Sequence, residues 1–149
     1  MRPASIVRFE QAYLASIVVW LINTVVNWDL QLSTIEANPA IGGNPQMLEI
    51  MKAVMVGFSG LSLLISLLLW YFTARKASNV TKWILVIFFI LATIGIPFTV
   101  MGYELVGALS VGLSLVCYLL TAFAIFMLFR PDAKAWFEGE TAAGPEIFE

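Results

Sequence analysis

The sequence predicts an all-α, polytopic membrane protein: four transmembrane helices in an antiparallel, left-handed bundle with both termini in the cytoplasm. Three observations predict it. The 149 residues are 60% apolar and 12% charged, against about 45–50% and about 25% in an ordinary soluble domain, and the mean hydropathy is +0.90. The charged residues leave four uncharged runs of 18, 22, 21 and 25 residues, between Glu10 and Asp29, Lys52 and Arg75, Lys82 and Glu104, and Glu104 and Arg130. Seven of the eight basic residues, all but Lys52, fall on one side of those runs. A helix rises 1.5 Å per residue, so about 20 apolar residues cross a hydrocarbon core of roughly 30 Å. A β-barrel would need alternating segments of about ten residues, and these runs are continuous. With no histidine and one cysteine, haem ligation through His, a His/Cys zinc site, a His-based triad and an internal disulfide are excluded. A net charge of −2 leaves no basic surface for nucleic acid.

The first span, about 8–28, is the weakest, because Asn23 and Asn27 sit in its outer half. Glu10 beside Arg2 and Arg8, and an apolar part longer than an h-region, read as a retained helix rather than a cleaved leader. The loop from Asp29 to Pro45 is the only long one. Asn38-Pro39 and Gly42-Gly43-Asn44-Pro45 break it, with room for a short interfacial helix around Ser33–Ala37. The second span covers about 48–73 and the third about 82–102. Pro97 removes the helical donor for the Thr93 carbonyl and predicts a kink. Gly102 to Glu104 is a tight link, so the fourth span, about 105–129, returns as a hairpin. Beyond Phe137 the chain turns acidic and loses its periodicity, and 138–149 reads as a cytoplasmic tail with no core of its own.

Basic residues set the orientation. Arg2 and Arg8 precede the first span, Arg75, Lys76 and Lys82 fill the link between the second and third, and Arg130 and Lys134 follow the fourth. The positive-inside rule puts that face in the cytoplasm. Trp70, Tyr71, Trp83 and Trp136 mark the same boundary as aromatic anchors, and Trp28 and Tyr103 the opposite one. The sequon Asn79-Val80-Thr81 then faces the cytoplasm and reads as a chance match.

Lipid is as apolar as leucine, so helices pair through small residues and interhelical hydrogen bonds. In the second span Lys52, Met55, Ser59, Ser62, Ser66, Leu69 and Thr73 share one seam of 3.5-residue period. In the fourth, Gly107, Ser110, Ser114, Cys117, Thr121, Ala124 and Leu128 do the same. Such a repeat keeps one stripe on a partner along its length and implies a crossing near +20°. These seams read as helix packing, with a polar pathway as the sharper alternative, and Cys117 reads as a small packing residue rather than a reactive thiol. Asn23 and Asn27, four residues apart, need partners that the second or fourth span could supply.

Intramembrane charges are the default functional candidates, but none lies at the bilayer centre. Glu49 and Lys52 are one turn apart at the outer end of the second span and form the candidate polar or ion site, with Asn23, Asn27, Asp29, Glu36 and Glu104 around them. A mutually neutralising pair is the structural reading, and ion coupling the functional one. At the inner face, Arg8 and Glu10 could pair across the bundle with Arg130, Asp132 and Lys134.

Arg8-Phe9-Glu10, Tyr13-Leu14-Ala15-Ser16, Asn23-Thr24 and Trp28-Asp29 open the chain. Ala77-Ser78-Asn79-Val80, Lys82-Trp83-Ile84 and the run Phe129-Arg130-Pro131-Asp132-Ala133-Lys134-Ala135-Trp136-Phe137 follow. With these motifs the chain resembles small uncharacterised four-helix membrane proteins of proteobacteria, over most of its length up to Phe137. The resemblance implies a bacterial inner membrane and no catalytic activity. Small multidrug transporters are also four-helix proteins, but they are shorter and their carboxylate lies deeper than Glu10.

Nucleophile–base pairs, metal sets, glycine-rich phosphate loops and central charges are missing from the sequence. The expected protein is therefore non-enzymatic, without cofactor or metal, and acts by interaction. It would be an accessory subunit or a self-associating bundle, in contact with lipid and with copies of itself or a larger membrane complex. A small oligomeric transporter or channel is the alternative, and a cavity lined by the serine seams is the feature that would favour it.

Overall fold

The structure is a computed structural model that describes residues 2–138. They form six helices, in the order α1 (Ala4–Val26), α2 (Trp28–Glu36), α3 (Pro45–Lys76), α4 (Asn79–Met101), α5 (Tyr103–Met127) and α6 (Pro131–Glu138), and no strand. α1, α3, α4 and α5 are each long and apolar enough to cross a membrane.

Local chemistry sets the helix ends. Pro45 sits at the first turn of α3, where its missing N–H costs nothing, and the Asn44 side chain accepts from Gln46 N at 3.0 Å and Met47 N at 3.3 Å. This places the start of α3 three residues before the predicted span. At its other end Ala77 turns left-handed (φ 50°), and the Ser78 N–H closes on the Phe72 carbonyl at 3.1 Å. Ser78 Oγ then accepts from Thr81 N at 3.3 Å and caps α4. The Asn79-Val80-Thr81 triplet is thus the first turn of a helix. α2 is longer than the short helix expected around Ser33–Ala37. It follows α1 across Asn27, whose carbonyl accepts from Gln31 N at 3.0 Å.

One sequence expectation about backbone is corrected. α4 is helical through Pro97, and the non-helical residue lies in α5, at Gly107 (φ 80°, ψ 164°). That region of backbone space is essentially closed to residues with a Cβ. Gly107 is exposed, and nothing lies within 4 Å of where its Cβ would stand. It is a break in the helix and not part of a packing seam. α6 was also unforeseen. Glu138, read as the start of the tail, is its last residue, and 139–149 lie outside the described residues.

The core gathers at one end. Ile6, Phe9 and Tyr13 of α1, Leu69 and Ala74 of α3, Leu85 of α4, Ala124 and Met127 of α5, Leu128 and Ala133 form one buried cluster, with Trp70, Trp136 and Phe137 against it. We call this the packed end. α3 buries only Leu69, Thr73 and Ala74, and α4 only Thr81, Lys82 and Leu85. All six lie near that end. Toward the opposite, open end, α1 stays bonded to α5, whereas α3 and α4 bury no residue there.

Candidate functional site

A ladder of short polar side chains joins α1 to α5. Asn23 Nδ2 donates to Ser114 Oγ at 3.0 Å, and Ser110 Oγ donates to Asn27 Oδ1 at 2.6 Å. Asn27 Nδ2 donates to Asn23 Oδ1 and to the Asn23 carbonyl, both at 2.8 Å. The four-residue spacing stacks the two amides on one face of α1. The four-residue spacing of Ser110 and Ser114 matches it from α5. Lower down, Cys117 Sγ lies 3.4 Å from the Ser16 carbonyl, a weak contact between closely packed backbones. At 1.5 Å per residue Asn23 lies about 22 Å along α1 from Arg8, well into the half of the bundle away from the packed end.

Beside this ladder the bundle is hollow. A cleft of 370 Å³ is lined by Trp20, Asn23, Asn27, Phe58, Ser59, Thr99, Ser110 and Ser114, with Leu30 and Gln31 of α2 at its mouth. It shares Trp20, Asn23, Thr99 and Ser114 with a hollow of 270 Å³ that reaches Phe89, Cys117, Tyr118 and Thr121. A third, of 320 Å³, shares Trp20, Phe89, Cys117 and Thr121 and descends past Ser62 and Ser66 to Leu69 and Leu85. Together they form one groove down the bundle, ending on the packed core. Its walls mix hydroxyls and amides with Trp20, Phe58, Phe88, Phe89 and Tyr118. Among the described residues no Asp, Glu, Lys or Arg lines any of the three hollows.

The seams take their places around this groove. In α3, Lys52, Met55, Ser59, Ser62 and Ser66 are half-buried and Leu69 and Thr73 buried. In α5, Ser110 is buried, and Ser114, Cys117 and Thr121 are half-buried. Ser59, Ser62 and Ser66 face the groove from α3, while Ser110 and Ser114 grip α1. Sequence periodicity marked the inward faces but carried no distance between helices, and so it missed the groove.

The charged residues lie away from it. Lys52 Nζ meets Glu49 Oε1 at 3.3 Å. Among the described residues Lys52 makes no ion pair with Asp29, Glu36 or Glu104. At the packed end the pairing expected between Arg8 or Glu10 and Arg130, Asp132 or Lys134 is replaced by another. Glu10 accepts from Arg2, and from Arg75 Nη2 of α3 at 2.9 Å. Arg8, Arg130 and Lys134 make no ion pair among the described residues. Asp132 Oδ2 accepts instead from Ser5 N at 3.1 Å and caps the orphan N–H groups at the start of α1. The Ser5 N–H, donating to Oδ2, holds the Asp132 carboxyl below its ordinary value. Only the N–H makes a hydrogen bond, since the Ser5 hydroxyl has no partner. Lys82, missed as a site residue, is 7% exposed, with Nζ 4.4 Å from the Phe129 ring centroid and 5.0 Å from that of Phe137.

Comparison with protein-family models, curated proteins and solved structures finds no match for this chain.

Proposed function

We propose that this is a non-enzymatic membrane protein that acts by binding, and that its binding place is the groove between α1, α3, α4 and α5. The observation that carries the reading is a groove whose lining sets uncharged hydroxyls and amides among apolar side chains and holds no charge among the described residues. Hydroxyls and amides are costly to hold against hydrocarbon, and four helices that needed only to pack could close over them. Here they stay open to a cleft of ligand size. No side chain in the groove is placed to act as nucleophile with a base, so the groove holds a molecule without transforming it.

In the same proposal the helices alternate in direction as a left-handed bundle. The packed end, with its seven basic residues, faces the cytoplasm of a bacterial inner membrane. Outside the groove the exposed side of α3 carries Ala53, Gly57 and Gly60, with no atom of another element within 4 Å of where either glycine's Cβ would stand. Small residues of this kind let a second helix approach closely, which supports association with a further copy or subunit.

Extraction in mild detergent and mass determination of the intact particle test the reading. A particle heavier than the bare 16.5 kDa chain, carrying a bound molecule or a second chain, is expected. A bare chain in every mild detergent would overturn it.

The serine-lined groove also favours a second reading, a small oligomeric transporter caught open at one end. Passage would require the plug of Phe9, Tyr13, Leu69 and Leu85 to part. A substrate flux in reconstituted vesicles, abolished by a leucine at Ser62, would replace the first reading by this one.

A further inference from the structure

Building on the reading of this chain as a binding protein, we infer that the groove takes an uncharged, single-chain amphiphile from the leaflet at the open end. Its hydroxyl-bearing head lies among Asn23, Ser59 and Thr99, and its chain against Phe58, Phe89 and Tyr118.

Size narrows the occupant first. Linked hollows of 370, 270 and 320 Å³ are of the order of small-molecule sites, roughly 300–1,000 Å³. Charge narrows it next. With no ionisable carboxylate, ammonium or guanidinium in the lining, a charged head would be held at depth without a counter-charge. That weakens binding on the order of a hundredfold.

Hydrogen-bonding capacity then selects the head. Asn23 Nδ2 has given one of its two hydrogens to Ser114. The Ser59 hydroxyl, across the cleft on α3, makes no hydrogen bond among the described residues. A donor and a donor–acceptor therefore face each other across the cleft, as a hydroxyl or ester group requires.

The way in is from the side. A hollow of 430 Å³ between α1–α2 and α3 shares Thr24 and Ser59 with the cleft and opens on its flank, while α2 stands over the mouth. Asp29 lines that flank and turns anionic heads away.

One oleoyl chain with three heads tests the inference on the full-length protein in detergent: the glycerol ester, the free carboxylate and the choline ester. Binding is read as the rise in Tm with ligand concentration. The glycerol ester should bind at least tenfold more tightly than the other two, and Ser59→Leu and Ser62→Leu should each weaken it tenfold or more. Equal binding of a charged head, or unchanged binding in both leucine variants, would overturn the inference. Should a leucine variant not fold, a photoreactive glycerol ester on the wild-type chain gives the same answer. Cross-links to peptides containing Asn23, Phe58, Phe89, Thr99 or Tyr118 support the groove, and cross-links confined to other peptides overturn it. An intact particle that holds a second chain but no amphiphile removes this ligand and leaves the binding reading standing. A particle that holds neither removes both.

Discussion

Asn27 shows what a single side chain does in this bundle. It accepts from Ser110 at 2.6 Å and donates to both Asn23 oxygens, so one amide fixes the rotation of α1 against α5. Hydrogen bonds between membrane helices average about 0.6 kcal/mol and reach about 1.7. Asn27→Ala should therefore cost about 1–2 kcal/mol, read as a lower Tm in detergent. Ser110→Ala should cost less. The double variant should fall short of the sum, because both substitutions delete the same bond. Additive losses would mean the two residues act separately. Asp132 works at the other end. Its carboxyl lies below the ordinary value of 3.8 because Ser5 favours the charged form. A depressed acid stabilises the fold above its unfolded-state pKa, and that contribution is lost as pH falls through the lower folded value. Asp132→Ala should melt below wild type at neutral pH, and the gap should narrow on acidification past 3.8. A gap independent of pH would show that the Ser5 cap does not depend on the charge.

At the scale of elements, two seams of the same period meet different surroundings. Ser114, at the edge of the groove, is bonded across to Asn23 of α1, whereas Ser62 faces the groove from α3 with no side-chain bond to another helix among the described residues. Leucine at Ser114 should overpack the α1–α5 contact and cost about 1–3 kcal/mol. Leucine at Ser62 projects into open volume and should leave the melting temperature nearly unchanged. Equal losses at both sites would mean that α3 lies closer to its neighbours than the groove allows. The contrast explains what was legible in the sequence. The spans could be read because charges stop at the ends of the apolar runs, and the α3 seam because its serines repeat along one face. Gly107 misled because a glycine at a seam position reads as close packing, and only its backbone conformation reveals a break. Arg75 could not be foreseen as the partner of Glu10, since pairing across 65 residues depends on which helix ends meet. The groove was illegible for the same reason: periodicity orients a face but does not measure the gap in front of it.

For the whole molecule, core placement and charge placement coincide. The cluster around Phe9, Leu69 and Leu128 lies at the end that carries Arg2, Arg8, Arg75, Lys76, Lys82, Arg130 and Lys134. The open end carries Lys52 as its one basic residue among those described, paired with Glu49. Basic residues in short loops resist translocation, so on the proposed topology the packed end faces the cytoplasm and the groove outward. Two positions read the outcome directly. Gly43 lies in the loop between α2 and α3, and Ser78 in the link between α3 and α4, at opposite ends of α3. Replacing the only cysteine with Cys117→Ala gives a silent background, because that thiol makes only a weak contact with the Ser16 carbonyl. In that background Gly43→Cys should react with an impermeant maleimide added to intact cells. Ser78→Cys should react only after the membrane is broken. The opposite pattern would turn the groove toward the cytoplasm, and the amphiphile would then have to come from the inner leaflet. Labelling of both sites from outside would mean that the chain inserts in two orientations. The basic residues on one face would then not suffice to orient the bundle.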